Sequence, residues 1–86
     1  NMDEIRQKIR RYILKNCLFT EDEAALSNDD SFLEKGIVDS TGMLELIAFM
    51  GDRFHISIED AELIPANMDS VNRVASFIHR KQSGGH

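Results

Sequence analysis

The sequence predicts an all-α bundle of three main helices and one short one, with a long first connection. Three observations lead there. Apolar residues recur at helical spacing in three separate stretches. Turn-forming residues are sparse, with 5 Gly and 1 Pro in 86 residues. The one stretch that alternates, Phe54–Ile58, has no second strand to pair with.

Residues 3–16 place Ile5, Ile9, Tyr12 and Ile13 on one stripe, while Asp3 and Glu4 stand at the end where the helix dipole favours them. Residues 17–39 lose that period. Leu18, Phe19, Leu26, Phe32, Leu33, Ile37 and Val38 are scattered among Asp, Ser, Asn and Gly36. This stretch reads as a long loop pinned to the core by its apolar side chains, and such loops are usually functional. Asp39 or Ser40 caps a second helix running to about Phe54. A third, short helix is expected near Glu59–Ile64, ending before Pro65. Asp69 or Ser70 caps a fourth helix to about Arg80, with Val71, Val74, Ala75 and Ile78 inward.

At about 100° per residue, Met43, Leu46, Ile47, Met50 and Phe54 form the core face of the second helix. Thr41, Leu44, Glu45, Ala48, Gly51 and Asp52 share a neighbouring face, and Phe49 falls to neither. A leucine beside carboxylates signals an interface, although single exposed leucines are ordinary and the long loop offers Leu44 another place to pack.

The length implies one domain, expected over residues 3–80, with 1–2 and 82–86 read as tag remnant or disordered ends. Hydrophobic residues are 42%, enough for a small core. No apolar run approaches the roughly 20 residues of a membrane helix, so no membrane insertion is expected. No signal-peptide pattern opens the chain, and Cys17 stands alone, which excludes an internal disulfide. A cytoplasmic monomer is expected. Net charge is −5, unevenly spread: +3 over residues 1–19, −11 over 20–70 and +3 over 71–86. An acidic centre repels phosphate backbones, which argues against nucleic acid, and steers basic protein partners.

Catalytic constellations are absent from the pattern. A nucleophilic enzyme needs a Ser or Cys beside an oriented base. His55 lies some 20 Å of helix from Ser40 by rise per residue, His79 ends the last helix, and His86 is the last residue. Cys17 reads as packing. There is no Cys-x-x-Cys, no His-Glu-x-x-His and no glycine-rich phosphate cradle. Asp29-Asp30 and Glu21-Asp22-Glu23 lack the spacing of a calcium loop.

What remains is Gly36-Ile37-Val38-Asp39-Ser40, set after a long loop and opening an apolar helix. Joined to Leu44-Glu45-Leu46, Phe54-x-Ile56-x-Ile58, the short acidic third helix and Asp69-Ser70-Val71, this arrangement resembles the acyl carrier protein family over roughly residues 3–80. The resemblance implies a four-helix acyl-carrier-like bundle that is not an enzyme. It implies that Ser40 receives 4′-phosphopantetheine from coenzyme A through a separate phosphopantetheinyl transferase, with Asp39 in the recognition motif. The arm then holds acyl or aminoacyl groups as thioesters. It also implies that Thr41, Leu44, Glu45, Ala48 and Asp52 belong to the partner-docking face, where weak, salt-sensitive contacts suit a shuttle. Thr41, followed by Gly42, departs from the family's common larger apolar residue after the serine, and Gly51-Asp52-Arg53 departs from the richly acidic stretch of fatty-acid carriers. Residues 62–71 are closer to free-standing carriers served by a dedicated adenylate-forming ligase. The rival reading is a non-covalent helical interaction module in which Ser40 only caps the helix.

Overall fold

The computed structural model describes residues 1–84. Its helices are α1 (Met2–Asn16), α2 (Ser40–Phe54), α3 (Pro65–Met68) and α4 (Val71–Gln82), with 3₁₀ turns at Glu23–Ala25 and Asp60–Glu62. Among the described residues there is no strand. The chain is all-helical, as the periodicity requires. Gly85 and His86, within the expected end segment, lie outside the described residues. Residues at the two margins of the 3–80 span do take part in the fold. Asn1 caps α1, its Oδ1 accepting the Asp3 N–H at 2.8 Å, and Gln82 closes α4.

α1 packs chiefly on α4, so the two basic stretches of the chain lie side by side. Ile5, Ile9, Ile13 and Leu14 of α1 meet Val71, Val74, Ala75, Phe77 and Ile78 of α4 in one apolar cluster. Each such side chain removed from water contributes roughly 1–3 kcal/mol before entropy is charged against it. α2 adds Leu46, Met50 and Phe54. Met43 flanks that stripe, but Ile47 is half-buried and stands outside the packed cluster. Phe49 takes the other flank. Its ring stacks on Tyr12 at 4.3 Å between centroids and meets Phe54 edge-on at 6.3 Å. The aromatic pair joins α1 to α2 on the flank away from Ile47.

The third helix corrects the expectation. Glu59–Ile64 contains only the 3₁₀ turn, and Pro65 begins α3 instead of ending a helix. Proline suits the first helical position because its missing N–H has no partner there. Ile64 is extended, as a residue before proline prefers.

The long connection is fastened by apolar and polar contacts together. Leu26, Phe32 and Val38 are buried, whereas Phe19 and Leu33 point to solvent. Arg10 of α1 donates to the Leu26 carbonyl at 2.7 Å, the Glu23 carbonyl at 2.7 Å and Asn28 Oδ1 at 2.9 Å. On the α4 side, the Asn72 N–H donates to the Asn28 carbonyl at 3.0 Å, and the Asn72 side chain links Arg6 to Asp29. Ser70 Oγ caps α4 by accepting the Arg73 N–H at 3.1 Å. Asp69 has a different task. Its buried carboxylate accepts the Ser31 hydroxyl and the Leu33 N–H, while its carbonyl accepts the Phe32 N–H at 2.9 Å.

Candidate functional site at the start of α2

The loop delivers the chain to α2 through Val38, which is buried, so the next residues emerge at the surface in a fixed place. Asp39 is the N-cap. Its Oδ1 accepts the Gly42 N–H at 2.7 Å, and its carbonyl accepts the Met43 N–H at 2.8 Å. Ser40 is therefore the first helical residue and not the cap. Its side chain is exposed, and no hydrogen bond engages its Oγ among the described residues. The N–H groups of Ser40 and Thr41 open the helix, where none has an intrahelical acceptor.

Gly42 has a local reason. A Cβ there would stand 3.2 Å from Asp39 Oδ1 and 3.3 Å from Val38 Cγ1. The missing side chain lets the cap carboxylate close on the backbone between a buried valine and the first turn.

Thr41, Leu44, Glu45, Ala48 and Asp52 are all exposed. They span an arc of about 100° that lies opposite Leu46 and Met50. Leu44 is 67% exposed, so it does not pack beneath the loop. Glu45 and Asp52 stand on the same face without a salt-bridge partner among the described residues. The acidity reaches across to α1. The Cys17 thiol is pushed above its usual range by burial first, and then by the Glu45 and Asp39 carboxylates. Tyr12 is raised by burial, by Glu45 and by Cys17. The α2 entrance is thus an anionic surface with the free hydroxyls of Ser40 and Thr41 at its head.

Among the described residues no side chain hydrogen-bonds the Ser40 hydroxyl. His55 caps the far end of α2, and Cys17 is held as the neutral thiol. Among the described residues no three His, Cys, Asp or Glu side chains gather as a metal site, and no helix is long and apolar enough to cross a membrane. Sequence reasoning missed the roles of Arg10, Asn72 and Asp69 in holding the loop that presents Ser40. Polar residues at long sequence separation leave no periodic signal, and Asp69 was indistinguishable from a cap.

Comparison with known proteins identifies the family. No family model matches the chain. The D-alanyl carrier protein of Streptococcus suis is 32% identical to it over 61 residues, an alignment covering 71% of this chain and 76% of that protein. The chain belongs to the acyl carrier protein family. It is a carrier protein and not an enzyme.

Proposed function

We propose that Ser40 is the attachment site of 4′-phosphopantetheine and that the chain shuttles aminoacyl or acyl groups between partner enzymes. One observation carries the assignment. Asp39 takes the cap, so the Ser40 hydroxyl is left exposed and unbonded at the first position of a 15-residue helix. The residues suit the group. The free N–H groups and positive end of α2 favour a phosphate on Ser40 Oγ, and no neighbouring side chain covers the oxygen. When bound, the group supplies a terminal thiol that holds the cargo as a thioester. This chain's contribution is to present the hydroxyl rigidly and leave its activation to the transferase.

The Streptococcus suis relative is named for D-alanyl groups. We extend the aminoacyl class to this chain, loaded by an adenylate-forming ligase in the cytoplasm. Thr41, Leu44, Glu45, Ala48 and Asp52 form the docking face, with Leu44 as apolar contact and the acids meeting basic surfaces on the transferase and the ligase. Residues 3–80 constitute the carrier unit.

The test is intact mass after incubation with coenzyme A, Mg²⁺ and a broad-specificity phosphopantetheinyl transferase. The wild type and Ser70→Ala gain one phosphopantetheine, and Ser40→Ala gains none. No gain by the folded wild type overturns the assignment and leaves the non-covalent interaction module, and a gain that survives Ser40→Ala overturns it by placing the group on another residue.

A further inference from the structure

The chain has 10 Lys and Arg residues. Six are occupied. Arg6, Arg10, Lys35 and Lys81 pair with carboxylates, while Arg73 and Arg80 donate to the Pro65 carbonyl and Asn67 Oδ1. The other four are Lys8, Arg11, Lys15 and Arg53, all exposed and without a carboxylate within salt-bridge distance among the described residues. All four line one groove of about 190 Å³ between α1 and α2, with Tyr12 and Phe49 also in its wall. In a chain of 15 acids, four of the six cations without a carboxylate partner are thus gathered in one place, and the other two, Arg73 and Arg80, are held by neutral oxygens elsewhere.

The groove is also organised. Arg53 lies 5.6 Å over the Phe49 ring and Lys8 lies 5.8 Å over Phe54, so the aromatic side chains hold two of the cations in position without neutralising them. Lys8, Arg11 and Lys15 follow one another at three- and four-residue spacing, a row of about 10 Å by helical rise. That row matches carboxylates repeated at the same spacing along another helix. Arg53 reaches it from the opposite rim.

We propose that this groove docks an acidic helical segment of a partner protein, as a second interaction surface of sign opposite to the α2 face. A membrane surface fits less well. A lipid-bound helix needs exposed apolar side chains to insert, and none of the large exposed apolar residues lines this groove. Along α2 the groove is lined by Phe49 and Arg53, about 13 and 20 Å by helical rise from Ser40, while Lys15 and Asn16 at its other end adjoin Cys17, whose thiol senses Asp39. A partner held at the Lys8–Arg53 end leaves the Ser40 hydroxyl free, so one protein can tether the carrier while another acts on it. The inference stands on the unpaired cations and does not depend on Ser40 carrying a group.

The experiment is an NMR titration of the ¹⁵N-labelled full chain at low salt. The probe is a synthetic helical peptide with Glu at three- and four-residue spacing along one face. A peptide of equal composition with its glutamates spread around the helix serves as control, as do vesicles of 30% phosphatidylglycerol in phosphatidylcholine. The expected result is shifts confined to residues 8–16 and 49–53 with the one-faced peptide. Its affinity should fall about tenfold or more in Lys8→Gln/Arg11→Gln/Lys15→Gln. It should change by less than about twofold in Lys35→Gln/Arg73→Gln/Arg80→Gln, which loses the same charge elsewhere. Equal losses in the two variants, equal binding of both peptides, or shifts at the groove with vesicles alone would overturn the proposal. Gain of phosphopantetheine by the groove variant, measured in parallel, separates this outcome from the fate of the Ser40 assignment.

Discussion

Asp69→Ala is the sharpest test of how the long connection is held. The carboxylate is 9% exposed and accepts two hydrogen bonds from the loop, the Ser31 hydroxyl and the Leu33 N–H at 2.9 Å. Hydrogen bonds to a charged acceptor contribute roughly 1.5–3 kcal/mol each, and the orphaned Leu33 N–H adds a desolvation cost unless water enters. The Phe32 N–H keeps its bond to the residue 69 carbonyl in the alanine variant, so the backbone anchor survives. The expected net loss is about 3 kcal/mol. Ser70→Ala removes only a helix cap and should lose about 1 kcal/mol. In a domain this small, 1 kcal/mol moves Tm by roughly 4–8 °C. The two variants should therefore separate clearly in urea unfolding followed at 222 nm, with unchanged m-values. Hydrogen exchange in Asp69→Ala should accelerate over residues 27–38 before α4. A loss no larger than that of Ser70→Ala, or exchange that rises first in α4, would show that Asp69 is an ordinary helix-end residue.

Three further outcomes follow from the geometry. Gly42→Ala should fall short of the roughly 1 kcal/mol gain usual for glycine in a helix. The new Cβ meets Asp39 Oδ1 at 3.2 Å and Val38 Cγ1 at 3.3 Å. A full gain in thermal unfolding would refute the tight cap. The Glu62 carboxyl is held below its ordinary value of 4.5 by the Glu59 N–H first and the Lys81 ammonium second. A lowered folded value means its stabilisation is present above 4.5 and is lost as pH falls through the folded value. Glu62→Gln should therefore flatten the acid limb of the stability–pH curve, and an unchanged limb would contradict this. Cys17 should react slowly with thiol reagents at pH 8, because burial and then Glu45 and Asp39 raise its thiol. Glu45→Gln should speed that reaction, and an identical rate would remove the acidic entrance from the account.

What the sequence made legible has a physical pattern. α1, α2 and α4 were visible because each buries one stripe at a 3.6-residue period, and Ser40 because it stands where the loop meets that period. Angle alone put Ile47 on the core face and left Phe49 unassigned, because a partner ring on α1, Tyr12, decides which flank turns inward. Pro65 stops one helix or starts another with equal local logic, and only the extended Ile64 shows which. The ambiguity between Asp69 and Ser70, and between Asp39 and Ser40, resolves in opposite senses. The serine caps α4 while the aspartate caps α2. The same dipeptide thus buries its acid in one place and frees its hydroxyl in the other. That difference depends on whether a loop returns to meet the acid, which no local window contains.

The pairing of α1 with α4 brings the two positive stretches of the chain together, while 13 of the 15 acids fall in the sequence between them. Such a body has a permanent electric moment in addition to its net charge. In the field of a basic partner it experiences a torque as well as an attraction, and it turns before it touches. The α2 entrance then leads the approach, and fewer encounters are spent in wrong orientations. At physiological salt, where fields decay over about 8 Å, this turning takes place only in the last moments before contact, so orientation and docking become a single event.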